Sequence, residues 1–173
     1  GVQLKQVGAP SAVVAGTFAV DYTNQTLTIG SDPTGHQVRA SDLSKALVVA
    51  APDLTVRGIG FRRYANSLPT GGAIYFARSG DKIENCVVSD MATIGVSMYQ
   101  SNLDVSHVTV TRAGMLGIPG YHADYSTVEN SVVTQSNDEH FNKARWSAGV
   151  KMLKITGSTT ATNASADAFT TTA

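Results

Sequence analysis

Between Val56 and Ser158 a short pattern of β-branched and polar positions returns five times. The copies read Val56-Arg57-Gly58-Ile59-Gly60-Phe61, Ile83-Glu84-Asn85-Cys86-Val87-Val88, Val105-Ser106-His107-Val108-Thr109-Val110, Val128-Glu129-Asn130-Ser131-Val132-Val133 and a terminal Ile155-Thr156-Gly157-Ser158. Their first residues lie 27, 22, 23 and 27 apart. A period of that size predicts a solenoid, because each copy can bury its apolar side only against its neighbours. The first position is always Val or Ile, and the sixth is Phe or Val wherever the copy is complete, so both point inward. The second position (Arg57, Glu84, Ser106, Glu129, Thr156) is polar and faces out, as strand alternation requires. Arg57 over Glu84 then predicts an ion pair between successive coils. The third position holds Gly58, Asn85, His107, Asn130 and Gly157, and Gly and Asn are the residues that best tolerate a left-handed backbone. That position is a corner.

A second marker follows in each copy: Gly72-Ala73-Ile74, Gly95-Val96-Ser97-Met98, Gly117-Ile118-Pro119 and Gly149-Val150-Lys151-Met152. Each glycine opens a short strand on another face. These glycines come 16, 12, 12 and 21 residues after the first position, so residues 64–71 and 136–148 are insertions. In repeat proteins such insertions often gather on the binding face.

Outside the repeats, residues 1–46 contain two strand-like runs, 13–20 and 25–30, joined by a polar turn over Asp21 to Asn24, and read as an N-terminal β cap. The one helical signal is Ala40 to Leu47, where Ser41 or Asp42 would cap one or two turns. Residues 47–157 are the β-helix rungs. Residues 158–173 form a Thr/Ala-rich tail without the motif.

Composition fits one all-β domain: 173 residues, 16 Gly and 15% charged residues. Formal net charge is zero and the basic residues are scattered, which argues against nucleic acid as a partner, since phosphate binding needs a basic stripe. No apolar run is long enough to insert in a membrane. The lone Cys86 shares a position with Ile59 and Val108 and reads as a small buried hydrophobe.

The chain resembles the bacterial secreted right-handed parallel β-helix repeat proteins, whose architecture is shared with pectate lyases and other polysaccharide-active enzymes. The resemblance is carried by residues 27–35, by the run 39–43 leading into 51–59, and by the late loop 137–142 followed by 147–151. It implies a right-handed single-stranded parallel β-helix, a secreted or cell-surface location and polysaccharide as partner. Right-handed parallel crossovers are also the general rule. In that group the coil runs on for further rungs, which implies that this chain is part of a longer solenoid.

Two clusters carry candidate chemistry. The eighth position of successive copies reads Arg63, Asp90, Arg112 and Gln135, stacked at about 4.8 Å per rung. Such an alternation is most simply a structural ion-pair ladder; in its functional form Arg63 and Arg112 would hold uronate carboxylates and Asp90 would take a metal or a proton. One Asp is too few for a strong calcium site, no Cys and His spacing points to zinc, and no other cofactor is implied. The late insertion holds Asp138, Glu139, His140, Lys143, Arg145 and the only Trp, Trp146. A lyase or epimerase acting on uronates needs a base, a cation for the enolate and a proton donor. Asp138, Glu139, His140 and Arg112 fit those catalytic roles; Arg63, Asp90, Lys143, Arg145, Trp146 and His122 would contact substrate. His107 reads as a structural corner residue.

Three function classes remain: a lyase or epimerase on an acidic polysaccharide, a non-catalytic glycan-binding module, and a structural module whose open last rung docks on another copy to give a homo-oligomer. The expectation is an exported or cell-surface protein engaging polysaccharide.

Overall fold

The computed structural model describes residues 2–68, 71–140, 147–162, 165–166 and 169–172, with side chains through residue 162. The chain divides into two compact units, Gly1–Ala40 and Ser41–Ala173.

In the first unit β1 (Lys5–Gln6) pairs parallel with β2 (Thr17–Asp21), and β2 pairs antiparallel with β3 (Thr26–Ile29). The β2–β3 hairpin turns where the polar run predicts it. There Asp21 Oδ1 accepts the Thr23 and Asn24 amides at 2.9 and 3.1 Å, and Oδ2 accepts Asn24 Nδ2 at 2.7 Å.

The second unit is an all-β solenoid of stacked parallel strands with three faces. It opens with β4 (Leu47–Val49). The first coil then runs through β5 (Thr55–Arg57), β6 (Gly60–Arg62) and β7 (Ile74–Phe76). The next three use β8 (Lys82–Glu84), β9 (Val87–Met91) and β10 (Val96–Ser97); β11 (Asp104–Ser106), β12 (Thr109–Ala113) and β13 (Leu116–Tyr121); and β14 (Thr127–Glu129), β15 (Val132–Thr134) and β16 (Ala148–Leu153). About three turns separate the first of these levels from the fourth. A fifth follows in β17 (Thr160–Thr162), β18 (Ser165–Ala166) and β19 (Phe169–Thr172). Every third strand pairs, so the first face is β5-β8-β11-β14-β17 and the second β6-β9-β12-β15-β18. The third face joins β4-β7-β10 to β13-β16-β19 through bridges Ile94↔Leu116 and Met98↔Gly120. Among the described residues no helix is long and apolar enough to cross a membrane.

The inward columns follow the expected register. Val56, Ile83, Val105 and Val128 are successive partners on the first face, and Phe61, Val88, Val110 and Val133 on the second. All but half-buried Val56 are buried, and all pack in one core. The predicted Arg57–Glu84 pair is present, with Arg57 Nε donating to Oε1 at 2.7 Å.

Three expectations are corrected. Val128 is followed in the sheet by Ala161, not Ile155. Asp124 captures the amides of Thr156 and Gly157, which turns that segment away from the sheet. The Thr/Ala-rich tail therefore supplies strands β17–β19, and the coil continues past residue 157. Finally, residues 40–47 form no helix. Ser41 Oγ donates instead to the Arg63 carbonyl at 2.6 Å, Lys45 Nζ to the Gly72 carbonyl at 3.1 Å, and Leu47 pairs with Ile74. The polar groups that would cap a helix are spent on the next coil, the competition that makes such residues weak helix signals.

Each coil turns through left-handed residues. The predicted corner between first and second faces is Gly58, Asn85, His107 and Asn130, with φ of 73°, 53°, 52° and 47°. The corner before the first face is Asp53, Gly80, Asn102 and Tyr125, at 59°, 85°, 57° and 56°. The corner between second and third faces is Arg63, Asp90, Arg112 and Gln135, at 62°, 56°, 51° and 55°. The charged eighth column is thus a bend in the backbone.

Candidate functional site

That charged corner gathers most of the candidate residues the structure describes. Asp90 closes it: its side chain is 2% exposed, and its two oxygens accept Arg62 Nε at 2.9 Å and Arg112 Nε at 2.5 Å. The bond from Arg112 is the main reason that the Asp90 carboxyl lies below the usual carboxylate range; burial opposes it and Arg62 adds to it. Asp90 in turn raises the Arg112 guanidinium, with Asp138 contributing. Each Asp90 oxygen accepts a guanidinium donor, so Asp90 is the centre of an ion-pair cluster.

Arg63 does not join that ladder. Its neighbour Arg62, outward on β6 and level with Ser89, takes the place expected for it. Arg63 is exposed, and its backbone carbonyl receives Ser41 Oγ.

The late loop reaches the same corner. The Asn137 and Asp138 amides donate to the Ala113 carbonyl at 2.9 and 3.5 Å, and Glu139 N to the Gly114 carbonyl at 3.3 Å. Gly114 permits this approach, since a Cβ there would stand 2.0 Å from the Ala92 carbonyl oxygen and 3.0 Å from Glu139 Cγ. Asp138 and Glu139 are thereby brought to the Arg112 level. His140 is exposed, in a left-handed conformation, and its amide closes a turn onto the Asn137 carbonyl. Lys143, Arg145 and Trp146 lie outside the described residues. Acids and a cation share this corner, but Arg112 is already engaged by Asp90.

His122 stands elsewhere, past the other end of β13, edge-on to Tyr121 with ring centroids 4.4 Å apart. It belongs to a strip on the outside of the third face. Tyr75 and Tyr99 meet edge to face at 6.0 Å, and Tyr121 follows one rung on, level with Tyr99 through the Met98↔Gly120 bridge. Lys45 Nζ lies 4.7 Å from the Tyr75 ring centre, and Lys154 Nζ 5.3 Å from that of Tyr121. Burial lowers the Lys45 ammonium, and burial also raises the Tyr99 hydroxyl. Lys154 is raised by its bond to Tyr121. Beneath Tyr99 the buried Ser97 Oγ accepts the Gly72 amide at 2.5 Å. The strands of this face, β4, β7, β10, β13, β16 and β19, contain neither Asp nor Glu.

None of these tyrosines or lysines is a candidate on sequence reasoning. Their signal is present nonetheless: Tyr75, Tyr99 and Tyr121 are 24 and 22 residues apart, the period of the repeat. Among the described residues no three His, Cys, Asp or Glu groups gather as a metal site. Compared with protein-family models, curated proteins and solved structures, the chain matches none.

Proposed function

We propose that the protein is an exported or cell-surface β-solenoid that holds a polysaccharide along its third face. The observation that carries this reading is the strip Tyr75, Tyr99 and Tyr121, with an ammonium on the first and last rings. Aromatic rings offer a sugar both an apolar surface and a polar rim, and rigid side chains lose little entropy when they bind. Tyr99 and Tyr121 stand one rung apart, about 4.8 Å, and Tyr75 lies one rung before Tyr99 and two residues back along the strand. A linear polymer crossing the face obliquely would therefore meet exposed Tyr121 and the uncovered edges of Tyr75 and Tyr99. The charged corner flanks the start of this face and supports binding more than turnover, since its best cation is held by Asp90. Lyase or epimerase action on uronates is the sharper form of the same reading, with Asp138 and Glu139 at the Arg112 level and His140 next in the same loop.

The test is affinity electrophoresis of the whole chain through gels carrying single polysaccharides, neutral and acidic, with Tyr121→Ala compared. Retardation by at least one polymer, lost in the variant at unchanged melting temperature, is the expected result. Migration unaffected by every polymer would overturn the reading. Appearance of unsaturated uronate absorbance would extend it to catalysis.

A further inference from the structure

We infer that the polymer this face takes is an anionic one, and that Lys45 and Lys154 read its carboxylate or sulfate groups. This rests on the glycan reading above and goes beyond it, because tyrosines alone would accept neutral and charged chains alike.

The contrast between faces carries the inference. Every cation in the strands of the first two faces is matched by a carboxylate: Arg57 with Glu84, Lys82 with Asp104, and Arg62 and Arg112 with Asp90. Lys45 and Lys154 flank the third face, whose strands offer no acid. The described contacts of the Lys45 ammonium are the Gly72 carbonyl and the Tyr75 ring. Burial is what lowers it, and among the described residues no carboxylate forms an ion pair with it. A half-buried ammonium beside a carbonyl and a ring has lost part of its hydration without gaining a counter-charge among the described residues. An anionic group docking there would supply one, in surroundings where the pairing is screened less than on an open surface.

The two lysines also sit at opposite ends of the tyrosine strip. Lys45 precedes β4, Tyr75, Tyr99 and Tyr121 follow on successive coils, and Lys154 follows β16. Two rung spacings, about 10 Å, separate the Tyr75 and Tyr121 rings against which the two ammonium groups lie. A short oligomer would reach one ammonium and a polymer both, so affinity should rise with chain length until both are occupied.

The experiment uses the whole chain and two matched pairs of polymers: polygalacturonate with its methyl ester, and dextran sulfate with dextran. Binding is measured by titration calorimetry at low and physiological salt for the parent, Lys45→Met, Lys154→Met and the double variant. Methionine keeps an apolar stem, and Lys154→Met, at an exposed site, remains informative should the Lys45 variant unfold. The expected result is charged polymer bound about tenfold more tightly than its neutral partner, the scale of one ion pair. The double variant should lose that preference and keep its residual affinity for the ester. Binding of polygalacturonate alone would assign a carboxylate, and of both charged polymers a general anion site. Equal binding of charged and neutral chains would sink the inference and leave the glycan face standing. Binding of none would remove both.

Discussion

The corners on either side of the second face have the same backbone and opposite chemistry. Gly58, Asn85, His107 and Asn130 turn one; Arg63, Asp90, Arg112 and Gln135 turn the other, all at φ between 47° and 73°. In the first, glycine and asparagine enter the left-handed region at little cost. In the second, Arg63, Arg112 and Gln135 each pay about 1 kcal/mol or more for the same turn, and Asp90 pays less. Those residues must be held by something other than backbone preference, and at Asp90 and Arg112 it is the ion pair between them, with Arg62 as the second partner of Asp90. A corner set by propensity shapes the coil. A corner set by side-chain contacts also fixes where charge stands on its surface.

The largest effect is expected where both corners depend on one core. Val105 lies at the middle of the first-face column and is fully buried. Val105→Asp would put an unpaired carboxylate there, a change worth about 4 kcal/mol. Chemical denaturation reads it directly. An unchanged midpoint would mean that the column is not the shared support of the two corners.

The next step separates the corners. Asp90→Ala leaves two guanidinium groups without their carboxylate. Breaking a fully buried pair costs about 3–5 kcal/mol, but these arginines are 59% and 40% exposed, so screening reduces the expectation to about 2 kcal/mol. Asn85→Ala should cost about 1 kcal/mol, the left-handed penalty alone. The two also differ in pH dependence. Asp90 is held below its unfolded pKa, so its contribution is complete above that value and disappears as pH falls through the folded one. The gap between parent and Asp90→Asn should therefore persist from pH 5 to 8, begin to narrow near the unfolded value of about 4, and close as pH falls through the lower folded one, while that for Asn85→Ala stays level. A gap for Asp90→Asn that is the same at every pH would contradict the ion pair.

The same contrast explains what could be read from the residues alone. The solenoid, its inward columns and the Asn/Gly corner are legible because local preference and tertiary structure agree there. Asp53, Gly80 and Asn102 carry similar preferences, but Tyr125 breaks the pattern, and that corner goes unread. Arg63 and Arg112 give no local sign of a left-handed turn, so their column passes for a straight ladder. One consequence is the slip from Arg62 to Arg63: at a bend, neighbours in sequence point to different surfaces. Ile155 imitates a rung start, yet Asp124 decides where the last coil begins. The Tyr75, Tyr99 and Tyr121 strip is hidden because its regularity lies on the outer side, where an apolar motif does not look.

Asp124 offers a more local test. It accepts the amides of Thr156 and Gly157 at 2.6 and 2.7 Å and Thr156 Oγ1 at 3.1 Å. The Gly157 bond leads in keeping its pKa low. Asp124→Ala should raise hydrogen exchange at Thr160 to Thr162 while leaving β8 and β11 protected. The loosening should appear in the parent as well when acid protonates Asp124, since a lowered folded pKa places the loss on the acid side. Equal protection of β17 in parent and variant would show that the sheet, not the carboxylate, sets the last coil.

The smallest effect is the sharpest test of the charged corner. Arg63 and Arg62 are adjacent, both exposed and both arginine, yet only Arg62 is bonded to Asp90. Arg63→Ala keeps a left-handed residue with a Cβ, so the backbone cost is largely unchanged, and stability should stay within about 0.5 kcal/mol. Arg62→Ala removes one of two donors and should cost about 1 kcal/mol, modest because the side chain is well exposed. Double-mutant cycles with Asp90→Ala isolate the coupling. It should approach that full value for Arg62 and vanish for Arg63. Equal coupling for the two arginines would mean that Asp90 responds to nearby charge in general, and that the corner does not hold its guanidinium groups in place.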